Sequence, residues 1–444
     1  MSATDEGTSA MPKASLLLVT VGNVASAAAQ WYLVWLFARQ DGAVAVGQYS
    51  TLIAALTPVF ILSQLGLRNL FLTLRRHVRW RTYLGVRMCT AFIATVVGVI
   101  VLLVLSVGGG WAMAAAVLAI KVCDTVADLF FARLQRAERL VTFGLLLIGG
   151  ALASAAVVTV VMSTSGSVVA SLWGVAATAA VVTAATVRLG LSSPAPRSTA
   201  AHEHADPADP GQTAGTRLLA DTRALLSAGL PLSLMQGIYA LTSYTPLAVV
   251  ALFGTAADVG RYASAAYLVV FANLVGASLE TVMLPAYRRH VDECRTPSLL
   301  RTALIRGLTI MAVLSPLIVL ALFVGNPLLT FVYGEDFALS VPAVGMLSLA
   351  AVITVPTYLL SATLLVLNRY WATTAVGAAS VAVALGSGWA AGALGAAAVD
   401  AGCFALLCGT LSRYAGELIL AALPAGSAKT VSVEVRRSSV ADSH

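Results

Sequence analysis

The residues of this chain that could do chemistry are ionisable side chains inside long apolar segments. Lys121, Asp124 and Asp128 lie in the run AIKVCDTVADLFFARLQRAER, at spacing i, i+3 and i+7, which places all three on one face of a helix. A charge at the centre of a bilayer costs about 2.5–3.5 kcal/mol on insertion scales, so such residues usually have a role. Two interpretations stay open: a local Lys121–Asp124 ion pair that stabilises the protein interior, or a role in substrate or proton passage.

Other polar residues in apolar segments are further candidates for a transport pathway. Two carry charge and four are amides: Arg68, Glu280, Asn23, Gln30, Gln236 and Asn273. The chain has no phosphate-binding loop, HExxH or GxSxG motif, so neither an enzyme nor a cofactor is predicted. The histidines and acids at 202–209 lie in a low-complexity segment, for which a metal site is not predicted.

The elements that hold these residues must be membrane-spanning helices. Of the 444 residues, 59% are hydrophobic and 11% charged, with mean hydropathy +0.88, whereas soluble domains carry about 25% charged residues. In hydrocarbon every backbone polar group needs an internal partner, and the apolar runs suit helices of about 20 residues rather than strands. The sequence predicts an all-α polytopic membrane protein with twelve spans, at 14–38, 48–74, 83–107, 111–134, 140–162, 167–189, 224–253, 262–287, 303–324, 341–367, 370–389 and 394–411.

The distribution of positive charge predicts the topology. With the N-terminus in the cytoplasm, all but four of the 27 Lys and Arg residues fall on cytoplasmic segments or helix ends, the exceptions being Arg39, Arg261, Arg68 and Lys121. This asymmetry is what the positive-inside rule describes. It explains the basic composition without nucleic acid, and it predicts a multi-pass protein of the cell membrane with both termini cytoplasmic.

The chain also contains an internal repeat. The tetrapeptide RRHV occurs at 75–78 and at 288–291, and VG-x-Y precedes it at the same offset of 213 positions, as Val46, Gly47 and Tyr49 and as Val259, Gly260 and Tyr262. An even number of spans per repeat predicts two parallel lobes related by an axis along the membrane normal.

The repeat and the polar segments divide the chain into four parts. We predict a six-helix lobe at 1–191, a cytoplasmic linker at 192–222, a second six-helix lobe at 223–422 and a disordered cytoplasmic tail at 423–444. Gly229, Pro231, Gly237 and Pro246 in the seventh span predict a kinked or broken helix.

Four segments carry a resemblance to a known family. They are VGQYSTLIA, LFFARLQRAER, VGRYASAAYLVVFANLVGASLETVMLPAYRR and FVYGEDFALSVPAVGMLSLAAVITVPTYLLSATLLVLNR. With the six-plus-six layout, the chain resembles the lipid-linked oligosaccharide flippases of the multidrug/oligosaccharidyl-lipid/polysaccharide (MOP) exporter superfamily.

The resemblance implies two lobes around a central cavity lined chiefly by helices one, two, seven and eight, and transport by alternating access. It implies that a polyprenyl-diphosphate-linked glycan moves from the inner to the outer leaflet for cell-surface polysaccharide biosynthesis, with membrane lipids and glycan polymerases or glycosyltransferases as partners. It assigns no residue to the substrate. The alternatives are a cation-coupled multidrug exporter and a non-transporting scaffold for glycan-assembly enzymes.

The repeat offset suggests a contact between the lobes. Adding the offset of 213 to position 68 gives Thr281, which is one position from Glu280. Arg68 and Glu280 would therefore lie at nearly equal depth on equivalent helices of the two lobes. We predict that Arg68 and Glu280 pair when the cavity faces outward and separate when it faces inward, which would free Arg68 for the diphosphate.

Overall fold

The described part of the chain is built of helices. The computed structural model describes residues 13–73, 78–104, 110–193, 214–292, 296–367 and 369–423, and contains no strand within these ranges. The first lobe holds α1 (Lys13–Ser63), α2 (Leu67–Thr73), α3 (Trp80–Val104), α4 (Trp111–Arg136), α5 (Leu140–Ser165) and α6 (Val168–Leu191). The second holds α7 (Ala214–Phe253), α8 (Ala256–Asp292), α9 (Thr296–Leu314), α10 (Pro316–Tyr333), a 3₁₀ turn (Glu335–Phe337), α11 (Val341–Val366), α12 (Tyr370–Ala393) and α13 (Ala398–Ala422).

The long helix α1 turns back on itself at Gly42. This residue has φ 72° and ψ −165°, a conformation that glycine adopts without a steric penalty. The rings of Phe37 and Tyr49 lie 5.8 Å apart, whereas a straight helix would separate twelve positions by about 18 Å. The two halves of α1 are therefore two crossings, the first two predicted spans.

The number of crossings agrees with the predicted twelve. Ten helical stretches of the described chain are long and apolar enough to span a membrane. The first, Leu17–Leu72, is 56 residues long and includes the reversal at Gly42, so it provides two crossings. Helix α4 is not among the ten because Lys121, Asp124 and Asp128 place three charges in its apolar stretch. Its 26 residues are nevertheless long enough to cross.

The structure corrects two predicted boundaries. The last helix does not end at residue 411 but runs from Ala398 to Ala422, so Arg413 and Glu417 lie within it. They form an ion pair one turn apart, with Nε and Oε1 2.9 Å apart, and this pairing reduces the cost of holding both charges in the helix. The linker is also shorter than predicted, because 214–222 is already helical; residues 194–213 and the tail from 424 lie outside the described chain.

The seventh crossing is one continuous helix, so of the predicted kink or break the break is absent. Pro231 and Pro246 both lie inside α7. The glycines of α7 instead allow close packing against the end of α1. A Cβ on Gly229 would lie 2.6 Å from the carbonyl oxygen of Leu65, and one on Gly237 would lie 2.4 Å from the side chain of Leu62.

The two lobes also touch at the other end of the bundle, through the predicted repeat. We name this end, which contains Gly42, the outer end, following the predicted topology, and the opposite end the inner end. A Cβ on Gly47 would lie 1.6 Å from the carbonyl oxygen of Ala256, and one on Gly260 would lie 1.9 Å from that of Ala43. Gly260 lies 213 positions after Gly47, and Ala256 lies 213 positions after Ala43. Each repeat therefore contributes the same two positions, and the contact is reciprocal. Two parallel repeats related by an axis along the membrane normal would produce such a contact.

Candidate functional site

A cluster of three charged side chains lies inside the first lobe. Asp128 of α4 accepts from Arg68 of α2 and from Arg87 of α3, with distances of 3.3 Å from Arg68 Nη1 to Oδ1 and 2.9 Å from Arg87 Nη2 to Oδ2. The side chains of Arg68, Asp128 and Arg87 are 33%, 19% and 0% exposed. Two guanidinium groups share one carboxylate, so the cluster carries one net positive charge.

The two arginines of this cluster are held in different ways. Arg87 is fully buried, and its Nε and Nη1 have no hydrogen-bond partner among the described residues, so Asp128 is its counter-charge. Arg68 has the longer contact with Asp128. It also donates a hydrogen bond to Oε1 of Gln135 at 3.3 Å, and its guanidinium lies 5.4 Å from the ring centre of Phe143. A partly exposed guanidinium with long contacts can exchange partners more readily than a buried one. The cluster thus consists of a fixed Arg87–Asp128 pair and a more accessible Arg68.

The predicted Lys121–Asp124 ion pair is not present. Among the described residues the salt bridges of α4 are those that Asp128 makes with Arg68 and Arg87. Asp124 is exposed and Lys121 is partly exposed, so both charges reach the surface of the lobe.

Arg68 and Glu280 do not contact each other in this structure. All the polar contacts of Arg68 are with the first lobe, and Glu280 forms no salt bridge with any described residue. The outer end is closed at Gly47 and Gly260, so the predicted pairing in an outward-facing state stays a prediction. Asp128 and Gln135 hold Arg68 in this conformation, in which the lobes touch near both ends, so its release in an inward-facing state also stays a prediction.

A second polar cluster lies in the second lobe, and it is electrically neutral. Glu417 of α13 accepts from Nε of Arg413 at 2.9 Å and from the hydroxyl of Ser361 at 2.7 Å, and Nη2 of Arg413 donates to the same hydroxyl at 3.2 Å. The guanidinium also lies 4.5 Å from the ring centre of Tyr239 and 6.0 Å from that of Tyr358. Cation–π contacts of this kind stabilise a desolvated guanidinium.

Among the predicted amides, Asn273 belongs to the second lobe's polar interior. Its Oδ1 accepts from the Tyr358 hydroxyl at 3.2 Å, and with Arg413 it lines a cavity of about 100 Å³. Asn23 and Gln30 are exposed and Gln236 is partly exposed. No side-chain hydrogen bond in the described chain joins these three residues to either cluster.

Hydrogen bonds also join the lobes. Near the outer end, Nε1 of Trp31 donates to the hydroxyl of Tyr333 at 2.8 Å, and Nε1 of Trp35 donates to the carbonyl of Val332 at 2.9 Å. Near the inner end, the hydroxyl of Ser233 donates to the carbonyl of Leu62 at 3.0 Å. In this conformation the lobes are therefore in contact near both ends.

Sequence analysis missed three of the charged residues in these clusters. The predicted third span begins at Tyr83, which places Arg87 near a helix end. The helix in fact begins at Trp80, so Arg87 lies further inside it. Arg413 and Glu417 lie beyond the predicted end of the last span. Their spacing of i, i+4, which is typical of an intrahelical ion pair, is the signal that could have extended that helix.

The described residues contain no group of three or more His, Cys, Asp or Glu side chains that could hold a metal ion. The histidines and acids at 202–209 lie outside the described residues.

The fold matches solved transporters over nearly the whole chain. An inward-facing multidrug resistance MATE family transporter of the MOP superfamily has a TM-score of 0.67 at 11% identity, covering 97% of this chain and 99% of its own. This chain has the same fold as that transporter. The lipid II flippase MurJ in an inward closed conformation has a TM-score of 0.63 at 12% identity, covering 89% of this chain and 86% of its own. An outward-facing MATE transporter reaches 0.58 at 12% identity, with 98% of each chain covered.

The second lobe also matches a family model at the sequence level. The model is described as a polysaccharide biosynthesis protein and matches residues 215–342, from α7 to the start of α11. No curated protein sequence matches this chain. The family model and the structural matches both support the resemblance to the MOP flippases.

Proposed function

We propose that this protein is a membrane transporter of the MOP type that moves a polyprenyl-diphosphate-linked oligosaccharide from the inner to the outer leaflet by alternating access. On this proposal it serves cell-surface polysaccharide biosynthesis, and the lipid-linked glycan and membrane lipids are its partners. The match to a polysaccharide biosynthesis family in the second lobe supports the substrate class. A glycan polymerase or glycosyltransferases would act on the same substrate before or after it.

The observation that carries this proposal is the net positive charge of the cluster in the first lobe. Two guanidinium groups face one carboxylate, and the more accessible one, Arg68, is 33% exposed. A guanidinium matches the paired oxygens of a phosphate group through bidentate hydrogen bonds. A diphosphate bound by Arg68 would replace Asp128, whose charge Arg87 would still balance. A cationic substrate would instead be repelled by the cluster.

The second candidate is a cation-coupled multidrug exporter. Asp124 favours it, because its exposed carboxylate has no salt-bridge partner among the described residues and could bind a cation. Two of the structures with the same fold are multidrug resistance transporters. The test must therefore include a cationic drug as well as a lipid-linked glycan.

The proposal is tested with purified protein in proteoliposomes. The probe is undecaprenyl diphosphate that carries a short neutral oligosaccharide, and the measurement is the rate at which a glycosidase outside the vesicles gains access to the sugar. Arg68→Gln should slow this rate roughly 10- to 100-fold, because hydrogen bonds to charged groups are worth about 1.5–3 kcal/mol. Arg68→Lys should retain more activity, because it keeps the charge but loses the bidentate geometry.

The matched control is Arg188→Gln, which removes a charge from an exposed arginine of α6. It should leave the rate unchanged. Transport of ethidium without movement of the lipid-linked glycan would contradict the proposal and favour the multidrug exporter. A wild-type protein that moves neither probe would favour the scaffold.

A further inference from the structure

The second lobe contains a cavity that is separate from the charged cluster of the first lobe. It lies among α7, α8, α11, α12 and α13, and its volume is about 100 Å³. By a measure in which one water needs about 10–15 Å³, it has room for roughly seven to ten waters, which is enough for one sugar ring. Ser243 of α7 and Val270 of α8 line the cavity and are exposed, so the mouth lies between these two helices.

The wall of the cavity is rich in hydroxyl groups whose protons already have partners. Thr354 and Thr357 of α11 and Ser380 of α12 are nearly fully buried. Each donates to a main-chain carbonyl of its own helix, at 2.8, 2.8 and 2.7 Å. A hydroxyl oxygen that donates in this way keeps lone pairs that can accept. The wall therefore offers several hydrogen-bond acceptors.

Two wall residues supply donors. Asn273 accepts through Oδ1 from Tyr358, which leaves both hydrogens of its amide for the cavity. Arg413 has five N–H groups; Nε bonds to Glu417 and Nη2 to Ser361, so donors remain. The cavity thus combines donors and acceptors at fixed positions.

The charge balance of the wall restricts the class of ligand. An anion is disfavoured because Glu417 already neutralises Arg413 at 2.9 Å. A cation is disfavoured because the described lining holds Arg413 and no carboxylate. Glu417 is 1% exposed behind the arginine, and Glu280, although within electrostatic reach of Arg413, is not part of the wall. An apolar tail would leave the amide hydrogens of Asn273 and the spare N–H groups of Arg413 without partners, which is costly. A neutral ring that bears several hydroxyl groups satisfies both the donors and the acceptors.

We infer that this cavity is a saccharide subsite, which receives one neutral sugar ring of the lipid-linked glycan; the inference rests on the proposed function. The sugar enters between α7 and α8 while the diphosphate is held by the first lobe. Thr357 and Asn273 are the specificity-determining residues, because one accepts from the sugar hydroxyls and the other donates to them.

The test compares two isosteric threonine variants on one helix. Thr357→Val removes a hydroxyl from the cavity wall. Thr363→Val removes one from a threonine that is equally buried and bonded in the same way to its own helix, but does not line the cavity. Each variant is reconstituted with two probes: undecaprenyl diphosphate with a neutral oligosaccharide, and undecaprenyl diphosphate without sugar. The movement of both lipids is measured, together with the rise in Tm that each causes in nanodiscs.

Thr357→Val should slow movement of the glycan-bearing lipid roughly two- to tenfold, the value of one hydrogen bond, and should leave the sugar-free lipid unchanged. The double variant Thr357→Val/Asn273→Leu should slow the glycan-bearing lipid further and should still leave the sugar-free lipid unchanged. The Tm rise caused by the glycan-bearing lipid should shrink in the same variants, and Thr363→Val should behave as wild type.

Three results would overturn the subsite: an equal loss with both lipids, an equal loss in Thr363→Val, or no loss at all, which would mean that the cavity holds only water. Failure of the proposed function looks different, because wild type then moves neither lipid. In that case a Tm rise that needs both the glycan and Thr357 would still establish the subsite. A Tm rise independent of Thr357 would remove it.

Discussion

The contact between Gly47 and Gly260 predicts how the outer end opens. In this structure α1 and α8 touch through their backbones at these residues, because neither has a side chain. Replacing either glycine by alanine should prevent the closed contact and shift the protein towards a conformation that is open at the outer end. A glycine-to-alanine replacement inside a helix normally stabilises the helix by about 1 kcal/mol. A shift towards the open form would therefore not be caused by unfolding of α1 or α8.

The size of the effect follows from the distances. The Cβ of Gly47→Ala would lie 1.6 Å from the carbonyl oxygen of Ala256, where ordinary contact begins at 3.4 Å, so the helices must separate by about 2 Å. Overpacking of this kind typically costs about 1–3 kcal/mol, which changes the ratio of closed to open forms roughly 5- to 150-fold. Gly260→Ala should act similarly. The double variant should cost less than the sum, because one separation relieves both clashes.

The assay is a distance measurement across the outer end. Spin labels at Trp111→Cys and Leu394→Cys lie on exposed positions of the two lobes, and pulsed electron paramagnetic resonance reports the distribution of their separations. Gly47→Ala should add or enlarge a population with a longer separation. The control is Gly85→Ala, since a Cβ there meets nothing within 4 Å. Identical distributions for Gly47→Ala and Gly85→Ala would refute the reasoning.

Three further predictions concern stability and topology. Asp128→Asn should lower stability by about 3–5 kcal/mol, because it leaves a buried guanidinium without its counter-charge; thermal unfolding in detergent measures this, and an unchanged Tm would contradict it. Arg413→Met and Glu417→Gln should each lower the Tm, whereas the double variant should come close to wild type, since replacing a whole buried pair is often nearly neutral; additive losses would show otherwise. In a cysteine-free background, Ala205→Cys should be labelled only from the cytoplasm and Glu335→Cys only from outside, and labelling of position 205 from outside would overturn the predicted topology.

The fold was predictable because its signals lie along the chain. Apolar runs longer than about 20 residues define spans without any knowledge of packing, and the twelve predicted spans correspond to twelve crossings. The sequence repeat includes Gly47 and Gly260, and these two residues meet at the contact between the lobes. One error, the early end of the last helix, arose because the charges of Arg413 and Glu417 interrupt an apolar run although they pair within the helix.

The partners within the site were not predictable in the same way. Asp128 could pair with a residue of its own helix or with one of another helix, and the choice depends on how each helix is rotated about its axis. In a soluble protein the apolar face reveals that rotation. In a bilayer the lipid-facing and buried surfaces are similarly apolar, so the sequence did not show that Arg87 of α3 faces Asp128 of α4. The same uncertainty produced the Lys121–Asp124 pair, which the structure does not contain.

The difference in charge between the lobes gives a physical reason for how a diphosphate-linked glycan could drive alternating access. The first-lobe cluster carries one net positive charge, and the Arg413–Glu417 pair of the second lobe carries none. On the proposed function, a diphosphate would be drawn to the first lobe, where its binding to Arg68 would release that arginine from Asp128. A ligand shifts a conformational equilibrium only by the difference in its affinity for the two states. On the proposed function, that difference arises because Arg68 must exchange its protein partner for the substrate, while the neutral Arg413–Glu417 pair does not attract a second anion to the sugar's cavity.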